Sequence, residues 1–174
     1  MPKLSMNFCP NCGKVLQTVN RDGLDRIQCP DQSNCTYVFW NNPTPVVAAI
    51  VEYEGKIVLA RNAAWPPEWF ALITGFLEAR EDPNEAVLRE VKEELDLDAE
   101  IIELIGVYEF ARMNQVIIAY HVKATGKISL SEELIDYRLM NPSDIRPWPG
   151  GTGKAMKKWL ADRGIFNEDV DFRR

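Results

Sequence analysis

The chain has 174 residues, 46% hydrophobic content and a formal charge of −6. That length holds one well-packed domain with room for a small extra module. The acidic balance excludes broad electrostatic attraction to nucleic acid or an anionic membrane, leaving only a local basic site open.

No run of about 18 apolar residues occurs, and the opening MPKLSMNFCP lacks the apolar stretch of a signal peptide, so the expectation is a cytoplasmic protein without membrane association. Four cysteines then need a reason other than disulfides, which a reducing compartment disfavours. Cys9 and Cys12 form C-P-N-C-G, and Cys29 and Cys35 form C-P-D-Q-S-N-C about sixteen residues later. Two such turns on short hairpins would set four sulfurs around a structural Zn2+, as in zinc ribbons, over roughly residues 7–40. The second pair is wider than the usual two-residue gap, which leaves Asp31 as a substitute ligand, or a site without metal, as alternatives. A catalytic zinc is not expected, because the one histidine, His121, lies far away in a predicted strand.

WNNPTP interrupts regular structure and divides the chain into residues 1–42 and 43–174. VVAAIVEY and KIVLAR, separated by Glu54 and Gly55, read as a hairpin. WFALITGF is a further strand, AEIIELIGVYEF and QVIIAYHVKATG are two more, and DYRLM is a short sixth. TGKAMKKWLADRG is an amphipathic helix stopped at Gly164. Too little helix separates these strands for a doubly wound parallel sheet, so the fold class expected is α/β, a mixed sheet sandwiched by helices.

Between the third and fourth of these strands, GFLEAREDPNEAVLREVKEELDL (75–97) holds eight carboxylates and three basic side chains. Asp82, Pro83 and Glu85 fit an N-cap, a first-turn proline and an acidic third position, so a helix should begin at residue 83. At 100° per residue Val87, Leu88, Val91 and Leu95 share one face, and Glu90, Glu93 and Glu94 cluster on another. Like charges at that spacing repel by a few tenths of a kcal/mol each. Arg89 reaches Glu93 at i+4 but cannot neutralise the cluster, whereas a hard divalent cation can. Read alone, an acidic helix face is usually just solvated.

The full spacing overrides that bland reading. Gly75, Glu81, Arg89-Glu90-Val91-Lys92-Glu93-Glu94 and Leu97 resemble the Nudix hydrolase signature G-x5-E-x7-R-E-U-x-E-E-x-G-U at every position but one, where Asp96 replaces the last glycine. The resemblance implies a Nudix α/β/α sandwich over residues 43–174 and Mg2+- or Mn2+-dependent hydrolysis of a nucleoside diphosphate linked to another group. It implies Glu90 and Glu94 as principal metal ligands, with Glu93 and the Thr74 carbonyl contributing, Arg89 holding the array, Glu81 acting through water and Gly75 permitting a tight approach.

A ribbon followed directly by such a domain resembles the NADH pyrophosphatase branch. On that likeness SEELIDYRL makes Glu133 a further metal carboxylate, PWPGGTGKA brings Ala155 near the nucleotide, and Trp40 stands where the branch has a substrate-contacting aromatic. The branch's Ser-Gln-Pro-Trp-Pro-Phe-Pro stretch is absent. GVYEFARMNQVIIAY takes its place, with Tyr108, Phe110 and Arg112 as candidates for a specificity surface of this chain's own. The substrate expected is therefore a dinucleotide, ADP-ribose or FAD, with NADH or NAD-capped RNA as the alternative and homodimerisation expected from the branch. Two rival readings fit the residues less well. A P-loop at GGTGKA lacks its first glycine and its hydroxyl residue, and a non-catalytic ribbon-and-Nudix binding module sits poorly with the intact glutamates.

Overall fold

In the computed structural model, which describes residues 6–170, the chain divides into two compact units, Met1–Asn42 and Pro43–Arg174. The first carries a three-stranded antiparallel sheet, β1 (Gln17–Arg21), β2 (Leu24–Gln28) and β3 (Val38–Phe39), in that order. Asp22 and Gly23, with φ of 54° and 83°, form the two-residue turn between β1 and β2, the geometry that matches strand twist in a tight hairpin. With so little apolar side chain available, the centre of this unit is Cys9, Cys29 and Cys35, against which Leu16 and Tyr37 pack.

The second unit contains β4 (Thr44–Tyr53), β5 (Lys56–Asn62), β6 (Ile73–Phe76), α1 (Pro83–Leu95), β7 (Asp98–Phe110), β8 (Gln115–Thr125), β9 (Leu134–Met140) and α2 (Gly153–Asp162). Its sheet runs β7-β8-β4-β5-β9, with β6 also paired to β4. β4 and β8 are parallel and every other pairing is antiparallel, so the sheet is mixed. The hydrophobic run of β4 follows from burial on both faces. Val47, Ala49 and Val51 pack with Val87, Val91 and Leu95 of α1, whereas Val46, Ala48 and Ile50 point to the side of Ala155, Met156 and Trp159 of α2. This alternation makes the expected sandwich. Among the described residues no helix is long and apolar enough to cross a membrane.

Two elements differ from the sequence reading. Only the second half of WFALITGF is strand, because Trp69 closes a turn on Pro66 through N–H to O at 3.0 Å before the ladder begins. The sixth strand starts earlier, at Leu134, because β9 pairs with β5 from Ile57 to Asn62, with a register shift at Arg61 and Asn62. Asp96 takes the left-handed conformation (φ 55°, ψ 28°) at the end of α1, and its N–H bonds the Lys92 carbonyl. Asp is among the few side chains that tolerate this region, so the turn survives without the signature's glycine.

On the α2 side, His121 of β8 is buried and faces Glu52 (Nε2 to Oε2, 3.0 Å), Glu103 (3.7 Å), the Arg163 guanidinium (3.3 Å to Nδ1) and the edge of Trp159. Arg163 can only donate, so Nδ1 accepts and Nε2–H donates to Glu52. Burial, aided by Arg163 against the pull of Glu52, holds the imidazole below its ordinary pKa, in keeping with this neutral tautomer.

Candidate active site and candidate zinc centre

β4 lends one edge to two strands in succession: β6 pairs with Val46–Ala49, and β5 with Val51–Tyr53. Where β5 and β6 part, α1 lies across one side of the opening. The helix is aimed by its N-terminus, since Asp82 accepts from the Asn84 N–H at 2.8 Å and Pro83 occupies the first turn. With Val87, Val91 and Leu95 in the core, the next positions round the helix, Glu90 and Glu94, turn toward the opening.

Glu90 is held tightly there. A Cβ added at Gly75 would stand 1.8 Å from its Cδ, so only glycine lets this carboxylate lie against β6. Arg89 gathers the rest of the array. Its Nε and Nη2 bind both oxygens of Glu81 (2.6 and 3.0 Å), its Nη1 donates to Glu90 (2.7 Å) and Glu93 (2.9 Å), and Nη2 also reaches the Phe76 carbonyl at 3.2 Å. Both oxygens of Glu81 are therefore engaged, one of them also by the Glu78 N–H at 3.0 Å. This pairing with Arg89 holds Glu81 below the usual carboxylate range.

A second group meets at a cavity of about 190 Å3 lined by Thr74, Glu94 and Glu133 together with Ala60, Asn62, Trp65, Leu72 and Leu134. Glu133 comes from a loop sewn to the last turn of α1. The Ser129 and Ser131 N–H groups take the otherwise orphaned carbonyls of Leu95 and Glu94, and Ala63 N–H binds the Glu133 carbonyl. Burial pushes Glu94 up to about 8, with Glu90, Glu133 and Glu93 adding repulsion. Burial also raises Glu90, although Arg89 opposes it. The set is thus an oxygen-rich cleft with more negative charge than Arg89 offsets, the donor chemistry of a hard divalent cation, and the glycine cradle at Gly75 keeps it open.

In the first unit the four sulfurs of Cys9, Cys12, Cys29 and Cys35 lie within 4.8 Å of one another, with Cys9–Cys35 and Cys12–Cys29 both at 3.5 Å. A tetrahedron with Zn–S bonds of about 2.3 Å has sulfur–sulfur edges of about 3.8 Å, so the donor set fits Zn2+. The wide spacing of the second pair is taken up by a turn in which the Cys35 N–H bonds the Asp31 carbonyl at 2.7 Å. The Asp31 carboxylate is occupied by Lys14, Ser33 and Asn34, and Lys14 above all lowers it to about 2. Asp31 is therefore a turn residue rather than a fifth candidate ligand. Burial opposes the Cys9 thiolate, but N–H groups of Asn11 and Cys12 outweigh it and bring Cys9 to about 7.

The remaining candidates fall elsewhere. Trp40 is exposed on the first unit, with the Arg21 and Arg26 guanidinium carbons 5.7 and 5.5 Å from its ring. Arg112 is exposed in a short 3-10 turn after β7. The Ala155 methyl is fully buried with Val46, Ala48, Ile117 and Ala119, so this residue offers a ligand only its main chain. Gly153, the last glycine of GGTGKA, serves packing, because a Cβ there would stand 1.9 Å from the Trp148 carbonyl oxygen. Sequence reasoning missed Asn62, the last residue of β5, and Trp65 of the β5–β6 loop. The signal was the dense aromatic and proline run NAAWPPEWF, which a strand assignment begun at Trp69 split in two.

Comparison with known proteins agrees with this geometry. Residues 42–162 match the model of the NUDIX domain. Curated relatives include the NAD-capped RNA hydrolase NudC of Pseudomonas aeruginosa (strain LESB58), 27% identical over 74% of this chain and 45% of that protein, and that of Pseudomonas fluorescens (strain Pf0-1), 25% identical over 89% and 54%. The chain thus spans about half the length of these relatives. Among solved structures, a NUDIX hydrolase from Nitrosomonas europaea superposes with a TM-score of 0.76 at 27% identity, covering 95% of this chain and 97% of that one. A possible asymmetric diadenosine tetraphosphate hydrolase from Jonesia denitrificans, at 19% identity and a TM-score of 0.62 over 72% of this chain and 98% of its own, shares the fold. The matched domain covers more than half of the chain, which belongs to the Nudix family.

Proposed function

We propose that this protein is a divalent-metal-dependent pyrophosphatase that hydrolyses the diphosphate bond of a nucleoside diphosphate joined to a second group, such as a dinucleotide, ADP-ribose or FAD. The observation that carries this reading is the convergence of Glu94, Glu133 and Thr74 on one cavity, beside a Glu90 that only a glycine neighbour accommodates. Glu90, Glu94, Glu133 and the Thr74 carbonyl would hold Mg2+ or Mn2+, with Glu93 as an outer carboxylate. When bound, such a cation neutralises diphosphate charge and acidifies an attacking water. Arg89 and Glu81 keep the carboxylates in register. The ribbon residues 1–42 would hold a structural Zn2+ through Cys9, Cys12, Cys29 and Cys35, and Trp40, Arg112 and the main chain at Ala155 would contact substrate.

The relatives named as NAD-capped RNA hydrolases favour a second reading, in which NAD-type diphosphates are the preferred substrates. Comparing kcat/KM over NADH, NAD, FAD, ADP-ribose, diadenosine polyphosphates and NAD-capped RNA separates the two. Release of no mononucleotide from any of them with Mg2+ or Mn2+ rejects the enzyme and returns the non-catalytic binding module.

A further inference from the structure

The loop between β5 and β6 crosses the opening where those strands part, and it carries three aromatic residues, Trp65, Trp69 and Phe70. Phe70 is engaged, packed on the α2-side core with the Arg138 guanidinium carbon 3.9 Å from its ring centroid. Trp65 is different. It lines the same cavity as Glu94, Glu133 and Thr74, yet it is 37% exposed, and among the described residues no ring or cation stacks on its indole. It therefore stands between the acidic cavity and solvent.

Its place is fixed by local structure rather than by burial. Asn62 accepts the Ala64 N–H on its side chain (2.9 Å) and the Trp65 N–H on its carbonyl (3.0 Å). Pro66 and Pro67 restrict the chain that follows, which is closed by Trp69 N–H to the Pro66 carbonyl. Within the Asn62–Trp65 turn, Ala63 N–H binds the main-chain carbonyl of Glu133 at 3.0 Å. The main chain around Trp65 is thus tied to the main chain of Glu133, which carries one of the proposed cation-binding carboxylates. A rigid aromatic so placed binds a flat partner with little loss of side-chain freedom.

The size of the cavity decides what that partner is. About 190 Å3 holds a diphosphate with its cations but not the organic groups on either side of it, and pockets that enclose whole ligands begin near 300 Å3. An organic group joined to the diphosphate must extend beyond this cavity, and Trp65 is the one aromatic among the residues that line it. We infer that Trp65 is a specificity-determining residue that stacks the planar heteroaromatic base of the substrate as it leaves the acidic cavity. This inference rests on the pyrophosphatase reading for the position of the diphosphate. It selects base-bearing diphosphates over those carrying only sugar or aliphatic groups.

The test measures equilibrium binding by calorimetry with two uncleavable probes in the presence of Mg2+: the α,β-methylene analogue of ADP-ribose, which bears a base, and methylenediphosphonate, which does not. Base stacking lost on truncation corresponds to about 1–3 kcal/mol, so Trp65→Ala should weaken the ADP-ribose analogue by about fivefold or more and leave methylenediphosphonate within about twofold. Trp65→Phe should recover most of the loss, and Trp65→Leu should not. The inference is overturned if Trp65→Ala binds the base-bearing analogue as wild type does, if it loses both probes equally, if Leu restores binding as well as Phe, or if the wild type binds neither probe. Stacking by these criteria in a protein that cleaves no natural diphosphate would remove the proposed reaction and leave the assignment of Trp65 standing.

Discussion

Gly75 and Glu90 occupy each other's space to the limit, with the position of a Cβ on residue 75 falling 1.8 Å from Cδ of the glutamate and 1.9 Å from one of its oxygens. The need here is for room and not for an unusual φ, since Gly75 is absent from the positive-φ glycines. Gly75→Ala must therefore push Glu90 out of the cleft or displace β6. A misplacement of about 1 Å at a reacting centre lowers rates by about a hundredfold, so kcat should fall by roughly that factor. Kinetics beside a thermal melt check this, with the melt expected to stay cooperative and the rate to drop.

Glu94 sits where function and stability oppose each other. Burial and three neighbouring glutamates push its carboxyl up to about 8, so a neutral amide of the same shape relieves both desolvation and repulsion. Glu94→Gln should raise Tm in metal-free buffer by about 2 °C or more, given that 1 kcal/mol corresponds to about 2–4 °C at this size. It should also remove most of the hydrolytic activity. Glu90→Gln should be equally inactive, and a near wild-type rate for both at saturating metal would sink the metal assignment.

What the sequence made legible follows from how local each feature is. The start of α1 was readable because Asp82, Pro83 and Glu85 act within one turn, and the sandwich was readable because β4 is apolar on both faces. The Arg89–Glu81 fork was not, because those residues are eight apart and one lies outside the helix, so no helical wheel brings them together. Nor was Trp65, whose meeting with Glu94 and Glu133 depends on β5 leaving β4 to run along β9. The wide Cys29–Cys35 spacing was ambiguous for the opposite reason. A turn at Asp31 compensates it, and side-chain bonds of Asp31 that follow no common spacing rule hold that turn.

His121 supplies a pH dependence away from the carboxylate cluster. Its folded-state pKa lies below the ordinary value of 6.5, so the unfolded chain binds the proton more readily. The stability it contributes is complete above about pH 6.5 and is lost as the pH falls from there through the depressed folded value. The slope from one such group cannot exceed about 1.4 kcal/mol per pH unit. His121→Gln keeps a donor for Glu52 without a titrating group. Urea denaturation at pH 7.5 and 5.5 should show wild type losing more stability on acidification than the variant, and parallel losses would reject the role of His121.

Zinc in the ribbon should act as folding free energy, because a unit centred on cysteines has almost no other core. Metal analysis of protein expressed with zinc should find about one ion per chain. A strong chelator should abolish hydrogen-exchange protection in β1 and β2 before it touches β4 and β8. Protein without zinc, or a ribbon as protected after chelation as before it, would contradict the four-sulfur site.

Substrate range turns on residues 108–115. Where the branch has its proline-rich reading motif, β7 here ends at Phe110, which packs against Gly151, and an exposed 3-10 turn follows with Arg112. The neighbouring charge of Glu109 is taken by Lys154. Strong rejection of a wrong partner needs buried polar groups that the wrong partner leaves unpaired, and this stretch offers few. Aromatic surfaces, the role proposed for Trp40 and Trp65, accept any flat base because they use the ring face. The protein should therefore cleave several adenine-containing diphosphates with kcat/KM values within about a hundredfold of one another, equivalent to roughly 2.7 kcal/mol of transition-state discrimination. Trp40→Ala should raise KM for all of them by a similar factor. A preference for NADH over both FAD and ADP-ribose larger than that would mean that Tyr108, Phe110 and Arg112 form contacts equivalent to the missing motif, and the broad-range reading would be wrong.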